Sequence, residues 1–361
     1  MSHPVEDRHA WAAPGVEDLG GGVHRIPLPL PMAGLKAVNV YAIVDDHGVD
    51  LIDAGMALAQ AREGLIAALA QLGRELGDVG NYFITHAHRD HYTLAVELRR
   101  TRRSGATGRG TIALGAGEQA NLVAARELGR GNSGGFLADL RRMGALELAA
   151  KLGAASGGGN DRPGPEEWED PDRWIDDGTE LDLRSRKLRA IHTPGHTRGH
   201  LVFHDETSRT LFAGDHILPH ITPTIGFEPA RTRLALRDYM DSLRLILTLP
   251  DARLLPAHGP VQDSAHRRVN ELLAHHEQRL DEILQALRPG RSSAYEAAQA
   301  IRWTRRQLRY TDLELVSQLL AAGETAAHLE VLVLRGQLTR HTGEDGTDHY
   351  ELTGATRSAP E

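Results

Sequence analysis

No cysteine occurs anywhere in the 361 residues. That absence removes disulfides, thiolate nucleophiles and Cys-type zinc sites, and it leaves His, Asp and Glu as the only strong metal ligands. Long apolar runs are missing too. No stretch of about 18 apolar residues is present, and the polar start through Asp7, Arg8, Glu17 and Asp18 has no basic segment followed by an apolar one. Neither a membrane span nor a secretory leader is expected, and a soluble cytoplasmic protein is the default. Positive charge is in deficit: 41 Lys and Arg stand against 49 Asp and Glu, a formal charge of -8. The whole molecule therefore has no electrostatic footprint for nucleic acid. Nor is there an internal repeat.

What remains is ordinary bulk and an unusual amount of histidine. At 40% hydrophobic and 25% charged residues, the composition is that of a globular chain. Its length suits one large domain and a small one. Histidine fills 20 positions, several of them in tight clusters.

Val38 to Ile43 and Val49 to Ile52 read as a β-hairpin around Asp45-Asp46-His47-Gly48. Ala57 to Leu76 has helical apolar spacing, and Asn81 to Ile84 returns to β character. Between about 115 and 177 the pattern predicts a helical insertion, broken by a Gly-rich loop from Ala155 to Pro165 that could act as the hinge of a lid. β-runs resume at Lys187 to Ile191, Leu201 to His204, Thr210 to Ala213 and Arg253 to Leu255, with a helix over Ala230 to Leu249. Beyond Gly259 come helices at Ala265 to Leu287, Ser293 to Ile301 and Leu313 to Gly336, then a polar turn between Thr339 and Leu352. Three helices and a small hairpin predict a winged-helix module. The division expected is a catalytic domain over 1–262 and an α-rich winged-helix domain over 263–361. The fold class is α+β, an αββα sandwich with a helical tail.

Four β-runs stop at residues able to hold a metal. Thr85 to His91 reads THAHRDH directly after Tyr82-Phe83-Ile84. Alternate side chains of an extended stretch share a face, so His86 and His88 can grip one ion, while Asp90 and His91 on the next turn reach a second. His196 in HTPGH, Asp215 in AGD and His258 in PAHG follow three later runs. If those strands share one sandwich, their loops converge at one edge, where a carboxylate such as Asp215 can bridge two cations.

HxHxDH, then HTPGHT, AGD and PAHG in that order resembles the ligand set of the metallo-β-lactamase superfamily over roughly residues 22 to 260. The resemblance implies a four-layer αββα fold. His86, His88 and His196 would be ligands of a first divalent ion, Asp90, His91 and His258 of a second, and Asp215 the bridge. Zinc is the expected metal, with iron and manganese also suited. It further implies that Asp53, in LIDAG, supports the metal loop without being a ligand. His200 and His216 read as structural or supporting, and His192, His204, His220, His275 and His276 as irrelevant to the metals.

The reaction implied is hydrolysis by a hydroxide formed at the metals, with Asp90 as the catalytic residue that orients it. The bridging aspartate in a chain without cysteine argues against most true β-lactamases, and His88 argues against the redox di-iron flavoproteins, which carry glutamate there. What remains is similar to the glyoxalase II-like and thioesterase-like branch, in particular its members with a C-terminal winged helix. A small acyl ester or thioester is the favoured substrate. The alternatives are cleavage of single-stranded RNA, for which Arg302, Arg305, Arg306 and Arg309 beside Trp303 and Tyr310 speak, and a non-catalytic winged-helix regulator with a metal-sensing domain. RNA is not favoured as a partner, and a homodimer is left open. The segment Leu218 to Pro229, with Ile221, Ile225 and Phe227, is expected either to line an apolar substrate pocket or to pack in the core.

Overall fold

Side chains that alternate along the strands sort the interior into three apolar layers. The structure, a computed structural model, describes residues 9–31, 34–103, 110–155, 164–287 and 292–353. The first half builds β1 (Glu17–Gly20), β2 (Val23–Pro29), β3 (Ala37–Asp45), β4 (Gly48–Ile52), α1 (Ala59–Gln71), β5 (Val79–Ile84), α2 (Arg89–Arg103) and β6 (Thr111–Gly115). Then come α3 (Gln119–Gly129), α4 (Gly134–Arg142), α5 (Leu146–Ala155) and β7 (Arg173–Ile175). The second half builds β8 (Glu180–Asp182), β9 (Lys187–His192), β10 (Leu201–Asp205), β11 (Thr210–Gly214), α6 (Ala235–Thr248) and β12 (Arg253–Pro256). It closes with α7 (Ala265–Ala286), α8 (Ala294–Ala300), α9 (Leu315–Leu334), β13 (Leu338–Thr342) and β14 (Asp348–Leu352).

Strands β1 to β7 form one sheet in sequence order, antiparallel as far as β4 and parallel from there on. A second sheet runs β12-β11-β10-β9-β8. On β3, Val38, Val40 and Ala42 face one cluster, shared with Leu65 and Leu69 of α1 and Leu94 and Leu98 of α2. Tyr41 and Ile43, pointing the other way, meet Phe203 of β10 and Phe212 of β11 between the sheets. On β10 and β11, Val202, Leu211 and Ala213 face a third cluster with α6, α7 and α9. The result is a helix, sheet, sheet, helix order of layers.

The hairpin of β3 and β4 and the three C-terminal helices with their hairpin lie where the sequence predicts them. Two expectations need correction. The helical stretch does not run on to 177, because Arg173–Ile175 is a strand of the first sheet, paired with β6. Nor does α6 start at Ala230: it begins at Ala235, after a turn. The Gly-rich loop expected as a hinge falls on 156–163, outside the described residues. Helices α4 and α5 pack on the C-terminal segment, where the Tyr295 N–H donates to the Met143 carbonyl at 2.9 Å. No helix among the described residues is long and apolar enough to cross a membrane.

Candidate metal centre

Strands β5, β9, β11 and β12 all deliver their C-terminal ends to one edge of the sandwich. Thr85 to His88 leave β5, and Asp90 and His91 form the first turn of α2, with the His91 N–H bonded to the His88 carbonyl at 3.1 Å. His196 sits in the loop between β9 and β10, Asp215 directly after β11, and His258 two residues past β12.

The seven side chains gather into two groups. Donor atoms of His86, His88, His196 and Asp215 lie within 4.8 Å of one another, as do those of Asp90, His91 and His258. Asp215 faces both. Its Oδ2 is 3.4 Å from His196 Nε2, while its Oδ1 is 3.4 Å from His258 Nε2 and 3.6 Å from His91 Nε2. Asp90 Oδ2 stands 3.4 Å from His258 Nε2 and 3.6 Å from His91 Nε2.

Hydrogen bonds on the far side of each ring fix which nitrogen is free. His258 Nδ1 donates to the Ala37 carbonyl and His196 Nδ1 to the Thr224 carbonyl, both at 2.8 Å. His91 Nδ1 donates to Asp53 Oδ2 at 2.8 Å. The Thr85 hydroxyl donates to Asp53 at 3.0 Å, so His86 Nδ1, also 3.0 Å away, must be the donor to Thr85. A carbonyl or carboxylate can only accept, so each of these rings donates from Nδ1 and turns Nε2 into the site.

His86 Nε2 and His196 Nε2 are each 3.0 Å from His88 Nδ1. One proton cannot satisfy three such nitrogens, whereas a tetrahedral zinc with Zn–N bonds of about 2.0–2.1 Å sets its ligand nitrogens about 3.3 Å apart. His91 Nε2, His258 Nε2 and Asp215 Oδ1 are buried and make no hydrogen bond. Orphaned buried polar atoms of this kind call for a missing partner. The donor set fits two divalent cations.

Electrostatics separates the groups. Burial, reinforced by neighbouring imidazoles, pushes His88 down to about 3, His196 down to about 4 and His86 well below its usual range, so these rings are neutral. Burial opposes charge on His91 too, but Asp90, Asp53 and Asp215 outweigh it and raise His91 to about 10. Despite burial, His91 and His258 hold Asp90 well below the usual carboxylate range. The carboxylates around the second group draw positive charge into it.

Asp53 lies outside both groups and anchors them. It takes the left-handed conformation, with φ of 60°, at the end of β4, and it accepts from the Thr85 N–H as well as from His91 and the Thr85 hydroxyl. His200 accepts from the Asp215 N–H at 3.2 Å and contacts the Thr193 hydroxyl. His216 packs between the His200 and Tyr239 rings. His276 pairs with His328, and His192 bonds the Arg198 carbonyl. Ile225 is core, Phe227 packs against the same cluster, and only Ile221 of the three is exposed. The basic cluster at 302–309 loses its base-stacking role, because Trp303 and Tyr310 are buried in the core and bonded to the Ala298 and Gln318 carbonyls.

Sequence reasoning did not identify Thr224, whose carbonyl holds His196, nor Glu118, Asn121 and Glu228 behind the first group. A glutamate after Gly115-Ala116-Gly117, at the end of an apolar run, was the available signal.

The family model described as the metallo-beta-lactamase superfamily matches residues 33–258, and one described as the metallo-beta-lactamase-like C-terminal domain matches residues 280–353. A beta-lactamase-like protein 2 homolog of Caenorhabditis elegans is 38% identical over 115 residues, 32% of this chain and 36% of that one. Lactamase-like protein nscB of Aspergillus fumigatus is 36% identical over 113 residues, 31% of this chain and 32% of that one. The matched region thus spans about a third of these curated relatives. Among solved structures, a metallo-beta-lactamase family protein from Thermus thermophilus superposes with a TM-score of 0.67 at 27% identity, covering 93% of this chain and 100% of that one. A beta-lactamase domain protein from Burkholderia ambifaria shares the fold, with a TM-score of 0.67 at 24% identity over 93% of this chain and 94% of that one.

Proposed function

The chain belongs to the metallo-β-lactamase superfamily, and from that premise we propose that it is a dinuclear metal-dependent hydrolase acting on a small ester or thioester. His86, His88 and His196 would hold one cation, Asp90, His91 and His258 the other, and Asp215 would bridge them. Asp215 carries the reading: one of its oxygens faces each group, and the inner one makes no hydrogen bond. Divalent cations bound here supply Lewis acidity and make water nucleophilic near neutral pH. Zinc suits the donors, since imidazole and carboxylate are among its usual ligands, and iron or manganese would also be accommodated.

The chain's own residues have three tasks. The Nδ1 bonds to Asp53, Thr85, Thr224 and Ala37 lock each ring before any ligand arrives. Asp90, with 16% of its side chain exposed against 10% for Asp215, is the carboxylate nearest solvent, and it orients the attacking water by accepting one of its protons in a hydrogen bond. The strap 218–229, through the Thr224 carbonyl and buried Leu218 and Ile225, closes one side of the site against water. Near-complete burial of the donors favours a small reacting group over a macromolecule. We read α7 to β14 as a small winged-helix unit, on the strength of its three helices and terminal hairpin.

Turnover of acyl-CoA, acyl-glutathione, lactone and single-stranded RNA substrates by the full chain tests this. Ester or thioester hydrolysis is the expected result, and cleavage of RNA alone would overturn the substrate class. Asp53→Ala is expected to lower metal affinity roughly 10–100-fold, the usual cost of losing an orienting partner, as measured by chelator competition.

A further inference from the structure

Behind the first ligand group lies a buried polar assembly that the proposed chemistry does not use. Glu118, in the turn Ala116–Glu118 after β6, is 0% exposed. Its carboxylate accepts from Asn121 Nδ2 at 2.7 Å, from the Thr197 hydroxyl and from the Ala87 N–H. The same Asn121 Nδ2 donates to Glu228 Oε2 at 2.8 Å, and Asn121 Oδ1 accepts from the Ala230 N–H at 3.0 Å. Glu228 Oε2 also accepts from the Arg198 N–H at 2.8 Å.

These partners are not scattered. Ala87 lies between His86 and His88, Thr197 and Arg198 follow His196, and Glu228 lies at the end of, and Ala230 just after, the strap whose Thr224 carbonyl holds His196. The backbones also meet directly. A Cβ on Gly199 would fall 2.2 Å from the Glu118 nitrogen, and one on Gly115 would fall 2.3 Å from the Gly199 oxygen. Burial raises the pKa of both glutamates, Glu118 to about 7. Two buried carboxyls are a poor device for stability alone, since apolar residues of similar volume usually serve as well or better.

We infer that Glu118, Asn121 and Glu228 form a positioning unit that sets the spacing of the His86–His88 loop against His196, and through it the affinity of the first cation. The inference rests on the dinuclear reading of the site. None of the three touches the reacting atoms.

The test is zinc affinity, resolved into its two binding steps by competition with a chromophoric chelator and joined to the visible spectrum of the Co2+-loaded full chain. His88→Ala marks which step belongs to the first group. Glu118→Ala is expected to weaken that step roughly 10–100-fold and shift the first-site Co2+ bands, leaving the other step almost unchanged. Glu118→Gln, which keeps an oxygen for Thr197, should recover part of the loss. If Glu118→Ala fails to fold, Thr197→Val decides, with a smaller loss expected at the same step. An unchanged first step, an equal fall in both steps, or the same loss in Leu65→Ala, a remote core variant on α1, overturns the inference. A wild-type chain that takes up no ion overturns the site reading itself, and the inference with it.

Discussion

Replacing Asp215 with alanine is expected to leave the chain with no more than one tightly held ion and to reduce hydrolysis by more than the roughly 10–100-fold typical of losing an orienting residue. The reason is charge and geometry together. Among the seven donors only Asp90 and Asp215 are anionic, so two divalent cations present four positive charges to two negative ones. Without Asp215 a single carboxylate remains, and His196, His91 and His258, each 3.4–3.6 Å from an Asp215 oxygen, lose the group that joins them. Elemental analysis and turnover on one preparation check this. Two ions retained with activity intact would deny Asp215 the bridging role.

Gly195→Ala has the largest expected effect on stability. Gly195 sits beside His196 with φ of +139°, and a Cβ there would come within 2.3 Å of Tyr239 Cβ and 2.4 Å of its Cα. The obstacle is the body of α6, which cannot swing aside as the end of a flexible side chain could. Overpacking in a dense interior commonly costs about 1–3 kcal/mol, and here backbone strain adds to it, so a loss of about 3 kcal/mol or more is expected in urea unfolding. Gly73→Ala separates the two contributions. Gly73 also has positive φ, +68°, but nothing lies within 4 Å of an added Cβ, so only the conformational cost of about 1–2 kcal/mol applies. Equal losses in the two variants would mean that contact with Tyr239 contributes nothing.

The candidate metal edge was legible in the sequence because its residues are local to strand ends. Each β-run that stops at His86, His196, Asp215 or His258 announces its own loop, and the helical turn after His88 carries Asp90 and His91. Strands with weak local signals were not legible. In β2, Pro27 and Pro29 read as breakers, yet they pair with Asn39 and Ala37 where β1 has already ended and the strand is an edge. β7 and β8 are three residues each, too short for alternation to show, and they are strands only because β6 and β9 pair with them. Contacts made across the chain were hidden for the same reason. The Ala37 carbonyl that orients His258 is 221 residues away from it, and Asn121 meets Glu228 across 107. No window of sequence contains both ends of such a bond.

Crystals of the full chain purified without chelator, with diffraction data collected on either side of the absorption edge of the metal found by elemental analysis, test the central claim most directly. Two anomalous peaks about 3.5–4 Å apart, one among His86, His88 and His196, the other among Asp90, His91 and His258, with Asp215 between them, are the predicted result. A single peak, or ions bound away from Asp215, would contradict it.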